Sequence, residues 1–142
     1  MKLPDVNVLL NAVNRASPEH TCAREWLEGA FSAPAGVGLT WIALIGFIRL
    51  STRRGILAKP LDMDQAFTVV EHWTTNPAAR ILHPTARHGA ILRRLLVAAG
   101  TAGNLTTDAH LAALAIEHGG AVGSFDRDFE RFPGIDFELL KA

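Results

Sequence analysis

Short apolar runs alternate along this chain with longer stripes of helical period, punctuated by Gly and Pro, and few folds accept that pattern. Residues 3–10 read as a short buried strand that runs into a turn or helix around Val6 and Asn7. Ser17-Pro18-Glu19 has the order of a helix start, with a hydroxyl cap and Pro at the first helical position. Cys22, Trp26 and Ala30, with Ala23 and Leu27, then recur at i, i+4 as far as about Phe31. Val37-Gly38-Leu39 predicts a second strand, and Thr40 a cap for a helix through Ile45 and Phe47 to about Leu50. Another helix follows Pro60, capped near Asp62 or Asp64 and carrying Phe67, Val70 and Trp73. Arg80-Ile81-Leu82 predicts a third strand, and helical period returns over 86–99. Thr106 or Thr107 predicts a cap for a helix over 108–118. Residues 121–124 predict a short buried strand, and residues 136–140 alternate like a last, edge strand. Strands alternating with helices place the chain in the α/β class, with a mostly parallel central sheet.

Composition narrows the function classes. A chain of 142 residues predicts a single domain, and 49% hydrophobic with 20% charged residues excludes a disordered one. The single cysteine, Cys22, excludes an internal disulfide and zinc-finger spacing, and fits a reducing compartment. No apolar stretch reaches the length of a membrane span, so a soluble, cytoplasmic protein with no membrane partner is expected. The formal net charge of +0 argues against a broad basic coat for nucleic acid. That neutrality is uneven, however. Residues 29–107 hold eight basic against three acidic side chains, and residues 108–142 hold seven acidic against three basic.

Four of the acids are positioned to meet. In a parallel α/β sheet the loops after the carboxyl ends of the strands converge on one crevice. Asp5 follows the first strand, Asp126 and Asp128 follow the strand over 121–124, and Asp108 opens a helix whose positive end favours a carboxylate. Each has a plainer reading: Asp108 as an ordinary first-turn acid, and Asp126-Arg127-Asp128 as an exposed turn. Asp5 is harder to dismiss, because it interrupts an apolar run between Leu3 and Val8, and a buried acid needs a partner. Carboxylates gathered in one cleft either hold protons or are neutralised by a cation. Oxygen donors without a competing Cys or His cluster suit Mg²⁺ or Mn²⁺, and the chemistry implied is phosphodiester hydrolysis.

The segments Asp5-Val-Asn7-Val-Leu-Leu, Thr107-Asp108-Ala-His-Leu-Ala-Ala-Leu-Ala and Ser124-Phe-Asp126-Arg-Asp128-Phe129, in that order and spacing, resemble PIN-domain ribonucleases. Within them the chain is most similar to the VapC toxins of bacterial VapBC toxin–antitoxin modules. Trp41…Phe47-Ile-Arg49-Leu-Ser-Thr52 and Phe132-Pro-Gly134 fit one VapC subgroup, and the resemblance spans essentially the whole chain. It implies a three-layer PIN-like sandwich and a Mg²⁺- or Mn²⁺-dependent endoribonuclease that cuts structured RNA and arrests translation. It further implies a cognate VapB-like antitoxin that silences the site, and a homodimer. Asp5 matches the family's first acid, Asp108 its third and Asp126 its fourth, with Asp128 an accessory acid; Asp5, Asp108 and Asp126 are the implied metal ligands. Ser124 takes a Ser/Thr position that hydrogen-bonds near the first acid, and Asn7 a polar position that orients carboxylate or water.

One departure stands out. Most family members carry a Glu on the helix after the second strand, and Gly46 takes its place, with no acid between Glu28 and Asp62. Close helix packing is the plain reading of Gly46; a weakened or inactive PIN-fold binding module is the functional one. A metal-dependent phosphohydrolase is the other alternative, although Asn7 stands where a dehalogenase-type phosphatase needs Asp. Eleven arginines against three lysines suit bidentate phosphate contacts. Arg49, one turn from Gly46 and matching a family arginine, is the one expected near the pocket. His88 and His110 are expected to be structural, His20 and His118 to lie at the surface, and Cys22 to be a small buried apolar residue. Trp26, Trp41 and Trp73 lie on apolar stripes and are assigned to core or dimer packing rather than to base stacking.

Overall fold

The computed structural model describes residues 1–142. The elements run β1 (Lys2–Pro4), α1 (Val6–Val13), α2 (His20–Ser32), β2 (Val37–Leu39), α3 (Trp41–Thr52), α4 (Met63–Thr74), β3 (Ala79–Ile81), α5 (His88–Ala99), α6 (Thr106–His118), β4 (Ala121–Ser124) and β5 (Asp136–Leu139). All five strands are parallel and lie in the order β3-β2-β1-β4-β5. The direction of winding reverses between β1 and β4, the place where an open parallel sheet leaves a crevice at its carboxyl edge. Pairing Leu3 with Val122 and Pro4 with Gly123 brings Asp5 and Ser124 to that edge together.

Helices cover both faces of the sheet, as the α/β pattern requires. On one face Leu9, Leu39, Leu44, Phe47, Val70 and Trp73 join α1, α3 and α4 to the sheet, and the Phe47 and Trp73 rings meet edge to face at 4.9 Å. On the other, Leu3, Val122, Leu95, Leu111 and Phe129 join α5 and α6 to it. Each such side chain, fully buried, contributes about 1.5–3 kcal/mol. Five consecutive residues of α6, Leu111 to Ala115, are buried; alanines on several sides let this helix sit between the sheet and α5.

Boundaries differ from the sequence reading where local hydrogen bonds intervene. Ser17 does not cap α2. Its hydroxyl accepts from the Glu19 amide in a tight turn, and the helix starts at His20. Neither Thr106 nor Thr107 caps α6, because a 3₁₀ turn over Gly103–Leu105 feeds the chain directly into it. Thr40 does cap α3, its hydroxyl accepting from the Ala43 amide, and Asp62 caps α4 in a reciprocal box with Gln65. Leu82 lies just past β3 yet still donates its amide to Leu39 at 2.8 Å.

Trp26 packs flat on the backbone of Gly123, and its indole donates to Glu138, which also pairs with Lys2. A methyl group at 123 would overlap the indole ring, so only Gly permits this contact one residue before Ser124. Gly123→Ala is therefore expected to destabilise the protein by about 1–3 kcal/mol, read as a lower Tm, through overpacking that a smaller residue at 26 relieves. Equal stability of the variant and the parent would contradict this packing.

Candidate functional site

Asp5 ends β1 and caps α1. Its Oδ1 accepts from the Val6 amide at 2.7 Å, and its Oδ2 accepts from Ser124 Oγ at 2.7 Å and from Asn7 Nδ2 at 3.3 Å. Ser124, wholly buried at the end of β4, also accepts from Asn7 Nδ2 and from the Asp126 amide, both at 3.0 Å. Asn7 Oδ1 accepts from the Phe125 amide at 3.2 Å. Thus Asn7 and Ser124 tie the first acid to the loop that carries Asp126. Without these partners a carboxylate that is 8% exposed would be strongly penalised.

Asp126 caps a 3₁₀ turn over Arg127–Arg131, accepting from the Asp128 amide at 2.9 Å, and this folds Asp128 back beside it. Asp108 projects from the first turn of α6. Oxygens of Asp108, Asp126 and Asp128 all lie within 4.8 Å of one another. Asp5 stands outside that trio, and with Asp108 it lines an adjoining cleft of about 150 Å³. The other cleft walls include Val6 from α1, Ile42, Ile45, Gly46 and Arg49 from α3, and Leu111 from α6.

Crowding shows in the electrostatics. Burial, followed by the charges of Asp5, Asp126 and Asp128, pushes Asp108 up to about 7. Burial also raises Asp5, aided by the charge of Asp126 and opposed by the hydrogen bonds from Ser124 and Val6. A cluster of hard oxygen donors that cannot all ionise comfortably at neutral pH fits a divalent cation, which would relieve the repulsion. Asp108, Asp126 and Asp128 are the residues placed to hold it, with Asp5 adjacent.

Gly46 lies in the cleft wall where α3 crosses α1. A Cβ there would come within 2.8 Å of Val6 Cγ2 and 3.3 Å of Val6 Cβ, so a glutamate fits at this point only if Val6 shifts. Packing thus accounts for the glycine. Gly46→Ala is expected to lower stability by about 1–3 kcal/mol, with Val6→Ala in the same chain recovering part of the loss in a double-mutant cycle. Additive effects of the two substitutions would contradict the contact.

The remaining candidates separate. Arg49 is in the cleft wall, exposed and without an ion pair. His88 and His110 lie outside both the acid cluster and the cleft. His88 Nδ1 meets Glu117 at 2.5 Å and its Nε2 meets His110 Nδ1 at 2.8 Å, with Thr85 also donating to Glu117. Burial lowers His110, and the His88 contact adds to it. This is a satisfied structural network joining α5 to α6. His20 and His118 are half-buried, each bonded to a backbone carbonyl (Asn11 and His83), and Cys22 is half-buried as well. Trp73 belongs to the core, and Trp26 is half-buried on Gly123. Trp41 does not join the core: it is 44% exposed, because the α3 stripe that holds it turns outward beside the cleft. The apolar walls Val6, Ile42, Ile45 and Leu111 escape a search for polar motifs. Their only sequence signal is helical spacing beside Asp5 and Asp108.

The raised Asp108 has a consequence for stability. Unfolded, it titrates near 3.8, and folded near 7, so folding takes up a proton between those values. Its contribution to stability is complete below about pH 4 and lost as pH rises to about 7. Metal-free protein is expected to lose Tm over that interval. Asp108→Asn should reduce the decline, and Mg²⁺ or Mn²⁺ should restore the Tm of the parent at about pH 8 but not that of the variant. A metal-free Tm independent of pH would contradict the crowding.

Comparison with known proteins agrees with this geometry. The PIN domain family matches residues 2–135. Ribonuclease VapC37 of Mycobacterium tuberculosis is 46% identical over 142 residues, covering 100% of this chain and 99% of that one. Ribonuclease VapC33 of the same organism is 40% identical over 135 residues, covering 95% and 94%. Among solved structures, VapBC2 from Rickettsia felis bound to a DNA fragment from its promoter superposes with a TM-score of 0.72 at 16% identity, over 99% and 98% of the two chains. VapC20 of M. tuberculosis, a sarcin–ricin loop cleaving toxin, superposes with a TM-score of 0.69 at 19% identity, over 96% and 99%. At these identities the two structures speak for the fold alone. No helix of the chain is long and apolar enough to cross a membrane.

Proposed function

The chain belongs to the PIN-domain family and, within it, to the VapC ribonucleases, the toxin class of VapBC modules, and from that premise we propose that residues 1–142 act as one PIN domain, a Mg²⁺- or Mn²⁺-dependent endoribonuclease. Its substrate is structured RNA of the translation machinery, its site of action the cytoplasm, and its partners a VapB-like antitoxin and a second copy of itself. The observation that carries the reading is the trio Asp108, Asp126 and Asp128, within 4.8 Å of one another beside a cleft with an unpaired Arg49 on its far wall.

The proposed roles follow from position. Asp108, Asp126 and Asp128 hold the divalent cation, with Asp5 supporting them from the buried end of β1. A divalent ion held there would supply Lewis-acid chemistry, drawing electron density from the phosphodiester and from the attacking water. Arg49 donates to the non-bridging oxygens of the scissile phosphate, a contact that strengthens as negative charge builds up. Asp128, the exposed member of the trio, has one carboxylate oxygen for the ion and takes the proton from the attacking water on the other. The water oxygen bonds to phosphorus as the bond to the leaving ribose oxygen breaks, and that oxygen takes up a proton from solvent water. Asn7 and Ser124 hold the Asp5 carboxylate in one orientation throughout.

The test is cleavage of total bacterial RNA by the purified protein with Mg²⁺, with Mn²⁺ and with chelator. Divalent-ion-dependent scission is expected, with Asp5→Asn, Asp108→Asn and Asp126→Asn each lowering it by about 100-fold or more while the fold is retained. Sequencing of RNA 5′ ends after induced expression identifies the target. An intact protein that cuts no RNA with either ion overturns the catalytic reading. It would leave the second reading, a partner-binding PIN domain, which Gly46 in place of the family glutamate favours.

A further inference from the structure

One stripe of α3 is unaccounted for by the core and by the proposed roles. Trp41 is 44% exposed and Ile45 57%, although residues of this kind are ordinarily buried. With Arg49 they stand at i, i+4 and i+8 along one side of the helix; Arg53, the C-cap residue with an extended backbone, follows just past its end. Ile45 and Arg49 already form part of the cleft wall opposite Asp5 and Asp108. Trp41 begins α3 immediately after the Thr40 cap, at the carboxyl end of β2, the strand that neighbours β1. The stripe therefore leads out of the cleft, aromatic at one end and cationic at the other.

We propose that this face is the substrate track: Trp41 stacks on an unpaired nucleobase beside the scissile phosphate, Ile45 packs against the neighbouring sugar or base, and Arg49 and Arg53 hold successive phosphates. The proposal rests on the ribonuclease reading. Residues four apart advance about 6 Å along a helix, a step comparable to that between successive phosphates of one strand. Trp41, exposed beside that line, is an aromatic platform, and RNA bases reach such a platform only where they are unpaired. The track thus selects a single-stranded loop or bulge rather than a duplex.

Charge favours RNA over a second copy of the chain on this face. Arg49, Arg53 and Arg54 are exposed and make no ion pair. α3 itself carries no acid, so a two-fold contact of α3 with α3 would set arginines against one another, while the cleft acids Asp5 and Asp108 belong to the proposed cation site. Phosphates supply the missing negative charge. The single-stranded specificity also explains an exposed Trp that an aliphatic partner surface would not require.

The probe is a fluorescent oligoadenylate of about a dozen nucleotides, with a blunt RNA duplex of similar length as its counterpart, each titrated without divalent ion. Trp41→Ala should weaken oligoadenylate binding by about 5- to 150-fold, with Trp41→Phe close to the parent and duplex binding little changed. Arg53→Ala should lower the slope of log affinity against log salt by about 0.7. Circular dichroism and Tm check that the exposed substitutions leave the fold intact. If Trp41→Ala binds oligoadenylate like the parent while divalent-ion-dependent cleavage persists, the track is wrong and the ribonuclease reading stands. If no variant or parent cleaves RNA, that reading fails, and the oligoadenylate titration still decides the track. A dimer that Trp41→Ala converts to monomers with unchanged RNA affinity assigns the face to a second copy and overturns the proposal.

Discussion

The hydrogen bond from Ser124 Oγ to Asp5 Oδ2, 2.7 Å long and closed to solvent, is the contact on which the rest of this site depends. It joins the ends of β1 and β4, the two central strands between which the winding of the sheet reverses. On one side it holds a carboxylate at the start of α1; on the other it fixes the loop that presents Asp126 and Asp128. The flanking hydrophobic clusters put these two strand ends next to each other, and the hydroxyl then makes the burial of an acid tolerable. Ala at 124 would satisfy the packing but leave Asp5 short of a partner, which is why a polar residue ends an otherwise apolar strand.

A cost follows from gathering acids there. Asp108 is raised to about 7 first by burial and then by the charges of the neighbouring acids, so the metal-free site resists its own ionisation. That crowding is the property a divalent cation would relieve. The walls divide the remaining work. α6 brings an acid and an apolar flank, while α3 brings no acid at all, only Gly46, isoleucines and Arg49. Gly46 stands where the family resemblance leads one to expect a glutamate, and a Cβ there would meet Val6 Cγ2 at 2.8 Å.

Much of this was legible in the residues. Asp5, interrupting the run from Leu3 to Val8, signals a buried acid with a purpose, because an unpaired carboxylate would not survive there. The Asp126-x-Asp128 pair after a short apolar strand and Asp108 in a first turn gain meaning from the parallel sheet, whose carboxyl edge collects such loops. Trp41 was not legible. Its i, i+4 relation to Ile45 is the same pattern that makes a core face, and a helical period states which residues lie together but not whether anything covers them.

Segment order and residue chemistry by themselves determined the α/β class, the parallel sheet and the four candidate acids, since periodicity, caps and charge are local properties of the chain; the order of three short motifs carried the resemblance to the family. Only the tertiary structure decided that Asp108, Asp126 and Asp128 form the tight trio while Asp5 stands apart, bound to Ser124 and Asn7. It alone decided that Gly46 is filled by Val6 and that the α3 stripe opens to solvent. These are distances between residues as many as 119 positions apart, and they depend on how the sheet winds and which helix faces meet. The balanced formal charge conceals this arrangement: folding sets the acids of the last segment across one cleft from an arginine of the middle one.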